Sequence, residues 1–242
     1  CRYHETNRRQ ILESRVASTE AVGAAIARCA KPPRVWLNSS TATIYRHAED
    51  RPQTEADGEI GSGFSVGVAT AWESAFYEAP LDALVRRVAL RTAILMDRGE
   101  GGPFDVFLRL VRLGLGGTMG SGRQMMSWIH GLDWVRAVAF LIDDPSQLTG
   151  AVNVASPEPL SNRAFLKTLR ETAGVWIGLP ASRWMLALGA VALRTETELI
   201  LKSRWVLPAR LQEAGFVFRY PAWSEAAAEL VARPKTKPKS AC

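Results

Sequence analysis

Lys31-Pro32-Pro33 stops a helical first segment, and Arg34-Val35-Trp36-Leu37-Asn38 follows as a short apolar run opening directly into Ser39-Ser40-Thr41. A run too short for a helix and ended by hydroxyl side chains has the pattern of a buried strand whose C-terminal end opens into a site. Before it, Thr6 to Ala30 carries Ile11, Leu12, Val16, Val22, Ala25 and Ile26 at helical spacing. After a polar loop from Arg46 to Gly63, the alternation continues. Phe64 to Glu78 reads as a helix with Phe64, Val68, Ala71, Trp72 and Ala75 on one face, and Leu84 to Leu95 as a strand running into the turn-rich Asp97 to Pro103. Phe104 to Leu115 reads as a helix, Ser127 to His130 as a strand, and Asp133 as the cap of a helix from Trp134 to Ile142. Val152 to Ala155 is one more strand, and Ser161 caps a helix from Asn162 to Ala173. Pro180 to Leu193, Thr197 to Trp205 and Ala222 to Val231 read as further helices, and Arg233 to Cys242 as a disordered basic tail. Strands alternating with helices predict an α/β fold on a parallel sheet, followed from residue 157 by a smaller, mostly helical part.

Composition narrows the function classes. With 242 residues, 47% hydrophobic and 22% charged, the chain is long enough to bury a full core. Its net charge of +6 is scattered and forms no basic stripe with interleaved aromatics, so an anionic small molecule is expected as the partner and nucleic acid is not. Cys1, Cys29 and Cys242 have no metal-ligand or disulfide spacing, so no metal site is expected. The longest apolar run, Trp184 to Leu193, is about half the length that crosses a bilayer, so no membrane span and a cytoplasmic location are expected.

Gly114 to Asp133, GLGGTMGSGRQMMSWIHGLD, is glycine-rich around a lone Arg123. So many glycines let backbone approach a ligand closely, and the planar fork of Arg123 suits a phosphate or carboxylate, so the stretch reads as the wall of a ligand cleft. Other candidates keep two readings. Thr41 is either a site hydroxyl or a backbone cap, and Tyr45 either faces the cleft or packs in the core. His130 is an acid/base or a hydrogen-bonded structural residue, and Asp133 a helix cap or an acid. Arg91 meets a ligand or pairs with a carboxylate across the sheet, and Arg15 meets a ligand or a neighbouring acid such as Glu13. Trp176, Trp184, Trp205 and Trp223, set among Leu and Ala, read as core.

Ser39-Ser40-Thr41-Ala42-Thr43-Ile44-Tyr45 resembles the strand-end motif of extended short-chain dehydrogenases of the nucleotide-sugar epimerase type, and Trp128-Ile129-His130-Gly131-Leu132-Asp133 resembles their segment near the substrate. GLGGTMGSGRQMMSWIH and VLPARLQEAGFVFRYPAWSEAAAEL look like the epimerase-like subfamily that ends in DUF1731. The resemblance implies a Rossmann-like parallel sheet over residues 1–156, incomplete at its N-terminal half, and a substrate domain over 157–232. It implies an NAD(P)-dependent oxidoreductase of unassigned, nucleotide-sugar-like substrate, with NADP or NAD as cofactor and a homodimer face or substrate lid in the C-terminal helices. It places Thr41 at the catalytic hydroxyl with Tyr45 as substitute acid, and Ser39, Ser40, Arg91, Thr92 and Arg15 beside the cofactor. Arg123, His130 and Asp133 then fall near the substrate. Two departures accompany it. The family's Tyr-x-x-x-Lys pair falls on Phe64 and Val68, or on Ser65 and Ala69 in the next register, and no GxGxxG occurs in the 242 residues. By resemblance Cys1 lies past the fourth strand, so roughly 80 residues of the nucleotide-binding half, the glycine-rich turn among them, would precede it. The alternatives are a non-catalytic NAD(P)-binding or redox-sensing protein, and an inactive fragment.

Overall fold

The computed structural model describes residues 4–143, 147–181 and 202–232. Helix α1 (Glu5–Ala27) leads into strand β1 (Val35–Thr41), which continues through the hydroxyl cluster and ends in a single 3-10 turn, Ala42–Ile44. Helix α2 (Phe64–Tyr77), strands β2 (Arg86–Thr92) and β3 (Ile94–Met96), and helix α3 (Pro103–Arg112) follow. Then come β4 (Met125–Met126), β5 (Trp128–His130), α4 (Gly131–Asp143) and β6 (Gly150–Val154). The C-terminal part holds β7 (Leu160–Ser161), α5 (Asn162–Thr172), α6 (Ala209–Glu213) and α7 (Trp223–Ala232).

The main sheet is parallel, in the order β1-β2-β6, with Thr41 level with Thr92 and Thr92 level with Val154. Its alternating side chains serve two helical layers. Trp36 and Ala89 pack against Phe76 of α2, whereas Val88, Leu90, Val152 and Val154 pack against Ala137 and Leu141 of α4. The expected α/β fold is therefore present, with both faces covered as a parallel sheet requires.

Several local expectations are corrected. Leu84 to Leu95 is not one strand: at Ala93 the chain turns from β6, whose Val154 carbonyl accepts from Ala93 N–H, to pair with β5. The buried residues of α2 are Val66, Val68, Ala69, Glu73 and Phe76; of the expected face only Val68 is among them, because Phe64 and Trp72 turn toward Arg8 and Arg15 of α1. Asp133 lies inside α4 and does not cap it. Lys202 to Trp205 is extended: Arg204 N–H donates to Met125 O and the Trp205 carbonyl accepts from Gln53, so these residues add to strand edges. The helix expected over Pro180–Leu193, residues 197–201 and the basic tail lie outside the described residues, apart from Pro180 and Ala181, which are not helical. Ser161 does cap α5, its hydroxyl accepting from Ala164 N–H.

The largest apolar core crosses residue 156. Phe104, Leu108 and Trp128 pack with Phe165, Leu166, Trp223 and Leu230, so α5 and α7 share one interior with α3 and β5. Trp176, read as core, is 98% exposed, because it lies past the end of α5 and none of the described elements packs over it.

Candidate active site

Thr41, the last residue of β1, opens into a cleft of about 180 Å³ between α1 and α2. This is the carboxyl end of a parallel strand, where open α/β sheets bind ligands. From α1 the cleft takes Ile11 and Arg15; from the strand end, Thr41 and Thr43; from the first turns of α2, Phe64, Ser65, Val68, Ala69 and Trp72. The two registers that could have held a Tyr-x-x-x-Lys pair therefore both face it, and neither carries a phenol or an amine. No carboxylate, imidazole, phenol or amine is among these lining side chains. The Thr41 hydroxyl accepts from Thr43 N–H at 3.1 Å and donates to the Thr43 hydroxyl at 3.0 Å, so it caps the 3-10 turn while lining the cleft.

Behind this wall lies a buried polar network. Arg91 grips Glu73 of α2 through two bonds, Nε to Oε1 at 2.9 Å and Nη2 to Oε2 at 2.7 Å, and Ser40 donates to the same carboxylate at 2.5 Å. Arg91 also donates to the Tyr45 hydroxyl at 3.0 Å, and that hydroxyl donates to Asn153 Oδ1 at 2.9 Å. The carboxylate reading of Arg91 is therefore the one observed. Burial works against its charge, but the bonds to Glu73 and the neighbouring oxygens outweigh that and hold the guanidinium above its ordinary pKa. Tyr45, expected as a substitute acid, is 2% exposed with its hydroxyl engaged on both sides. Burial pushes its phenol above the ordinary range and the Arg91 charge only partly opposes this, so the structure does not bring it to the cleft as a proton donor. Ser40 is likewise committed to Glu73, whereas Ser39 points outward and is exposed. Thr92 is held on the other face, where its hydroxyl donates to Leu90 O and accepts from Trp134 Nε1.

Glu55 closes the network, accepting the Asn153 backbone N–H at 2.9 Å through Oε1, while its buried Oε2 has no hydrogen-bond partner. Burial raises its pKa above the ordinary glutamate value, against the opposing pull of the Asn153 N–H and Arg210. A raised folded-state pKa means that its contribution to stability is present at acid pH and lost as pH climbs through the folded value. Glu55→Gln keeps the acceptor and removes the buried charge. The variant is expected to melt higher than the parent at pH 7, with the advantage vanishing below the ordinary glutamate range, as read by thermal unfolding at both pH values.

The glycine-rich stretch serves a different purpose from the one its composition suggests. A Cβ on Gly117 would stand 2.4 Å from the Leu179 carbonyl, and one on Gly116 2.4 Å from a Val111 methyl, so these glycines admit the chain's own backbone and side chains. The loop is pinned by Asn162 Oδ1 on Met119 N–H and by Arg170 on the Gly116 carbonyl. Arg123 projects into solvent, its side chain 79% exposed and 3.7 Å from Glu49. His130 is 1% exposed: Nδ1 accepts from Leu132 N–H, which leaves the proton on Nε2 to donate to Glu229 of α7 at 3.0 Å. Asp133 accepts from the backbone N–H groups of Arg219 and Tyr220 at 2.7 and 2.8 Å. His130 and Asp133 thus fasten the C-terminal segment to the sheet, and neither they nor Arg123 lines the cleft with Thr41.

Sequence reasoning missed Glu73, Asn153 and Glu55. Glu73 did leave a signal, since it is the one charged residue in α2, FSVGVATAWESAFY, and a lone charge in an apolar helix needs a buried partner.

Known proteins are similar to this chain in sequence and fold. Residues 181–230 match DUF1731, a domain of unknown function. The epimerase family protein SDR39U1 of Bos taurus is 30% identical over 240 residues, which cover 96% of this chain and 77% of that protein. The epimerase family protein Mb2239 of Mycobacterium bovis is 31% identical over 229 residues, covering 94% of this chain and 73% of that protein. The chain belongs to this epimerase family. A crystal structure of the human epimerase family protein SDR39U1 (isoform 2) with NADPH has a TM-score of 0.85 at 27% identity, covering 96% of this chain and 76% of that one. The expected Rossmann-like fold of an extended short-chain dehydrogenase with a DUF1731 segment is therefore the fold of this epimerase-family chain. Among the described residues no helix is long and apolar enough to cross a membrane.

Proposed function

We propose that this chain is an NAD(P)-dependent oxidoreductase of the epimerase family acting on a small molecule, with the reacting oxygen held by Thr41. The observation that carries the reading is the cleft at the end of β1, where a strand-end hydroxyl faces the first turns of α2. Its donor set fits the nicotinamide end of a dinucleotide: hydroxyls on Thr41, Thr43 and Ser65 beside a flat apolar wall of Phe64, Val68 and Trp72. The human relative described with NADPH supports the same cofactor class. When bound, the cofactor would supply or accept hydride. Thr41 would donate a hydrogen bond to the substrate oxygen, Ser39 would face the cofactor from the exposed side of the strand end, and Arg91 and Ser40 would act indirectly by bracing α2 against the sheet. Residues 157–232 would supply the substrate-side cover.

With no titrating acid or base among the lining side chains, the proton would come from water or the substrate itself. That same absence favours a second reading, a nucleotide-binding protein that senses redox state without turnover.

Titrating NADPH and NADH into the 242-residue chain and into one extended upstream by the family's glycine-rich βα unit, following nicotinamide fluorescence, tests the first claim; saturable binding by the extended chain is expected, and no binding by either chain would refute the dinucleotide reading. Where a carbonyl panel shows NADPH consumption, Thr41→Ala is expected to lower kcat by about 10²-fold. Binding without consumption would select the sensor.

A further inference from the structure

The cleft carries a cation without an acid to match it. Arg15 is half-buried; its Nη1 donates to the Ile11 carbonyl at 3.1 Å, and its guanidinium lies over the Trp72 ring with 5.4 Å from Cζ to the centroid. Those two contacts hold the group in place and leave the Nε and Nη2 donors without a protein partner among the described residues. The sequence offered Glu13 as a mate, but Glu13 meets Arg9 at 3.8 Å. One helical repeat earlier, Arg8 lies over the Phe64 ring at 5.1 Å, so the α1 face of Arg8, Ile11 and Arg15 presents two guanidinium groups to the aromatic residues of α2. Among the described residues no carboxylate lines the cleft, and a cleft of one charge sign concentrates ligands of the other.

We propose that Arg15 is the receptor for a carboxylate on the substrate, which makes the substrate class a hydroxy or keto acid, sugar acids included. The inference rests on the oxidoreductase reading for the reaction at Thr41, and on geometry alone for the anion. The free Nε–Nη2 edge is a planar pair of donors, the shape that a carboxylate accepts side-on in two bonds. Arg15 and Thr41 line the same cleft of about 180 Å³, so a charge held by one and a reacting oxygen held by the other can belong to one small molecule.

The test uses the full chain labelled with 15N, following the Arg15 Nε–H signal, assigned by its loss in Arg15→Lys, during titration with pyruvate, methyl pyruvate and inorganic phosphate. Saturable shifts with pyruvate, none with the uncharged ester, and at least about tenfold weaker binding of phosphate are expected. Arg15→Gln and Arg15→Lys, both good helix formers, are expected to weaken pyruvate binding at least about tenfold with the far-ultraviolet circular dichroism unchanged. Equal response to the ester, preference for phosphate, or pyruvate binding that survives in Arg15→Gln would overturn the proposal. NADPH titration of the same variants separates the two claims. Loss of NADPH affinity in Arg15→Gln makes Arg15 a cofactor contact and sinks the carboxylate assignment. Pyruvate binding in a parent chain that ignores NADPH both as it stands and extended upstream by the glycine-rich βα unit keeps the anion site and sinks the oxidoreductase reading.

Discussion

Glu73→Ala is expected to cost about 3–5 kcal/mol of folding stability, the range for removing one partner of a buried ion pair. The variant leaves the Arg91 guanidinium buried without its two carboxylate bonds, and Ser40 loses its acceptor at the same time. The residues involved are little exposed, 13% and 9% for the Arg91 and Glu73 side chains, so water cannot easily replace what is lost. Chemical denaturation of parent and variant measures the difference. A loss under about 1 kcal/mol, the range of a surface pair, would show that the network is solvated and that α2 is held by apolar contacts alone. Replacing Glu73 and Arg91 together by leucines should be less damaging than the sum of the single changes, because no buried charge is then orphaned.

Trp223→Ala is expected to cost a similar amount, about 3–5 kcal/mol, through a different mechanism. Trp223 is 2% exposed, stacks on Phe165 at 4.0 Å between ring centroids, and meets Trp128 edge-on at 5.0 Å. Its indole N–H donates to the Phe165 carbonyl, so truncation leaves a cavity and removes one hydrogen bond from a buried helical carbonyl. The matching control is Trp176→Ala, at 98% exposure, which should stay within about 0.5 kcal/mol of the parent. A large cost at Trp176 with a small one at Trp223 would invert the core described here.

The parts of this fold that can be read from sequence are those where a local pattern and its tertiary role agree. The short run Val35 to Leu37 followed by hydroxyls reads as a strand whose end opens into a site, and β1 is a strand that ends at the cleft, though of its residues only Trp36 and Ser40 are buried. The caps work likewise where one side chain and one amide settle the matter, as with Ser161. Thr41 and Arg15, taken separately from resemblance, meet in one cleft. What could not be read depends on partners far away in the chain. Asp133 looks like a helix cap because its neighbours are helical, but its acceptors are taken by amides more than eighty residues later. Composition misled at Gly116 and Gly117, since glycine signals close approach without saying what approaches. Tyr45 and Arg91 carry chemistry suited to catalysis, and only their mutual hydrogen bond and burial show that they brace the wall of the cleft.

The two walls of that cleft differ in how firmly they are held. Helix α2 is bolted to the sheet through Glu73 and packs Phe76 into the core, whereas α1 runs for 23 residues with only Thr19 and Gly23 buried. Local opening is easiest where few contacts are lost. A ligand that bridges Arg15 and Thr41 would therefore join a yielding jaw to a fixed one, and slowed amide exchange along α1, with α2 little changed, would be the record of its arrival.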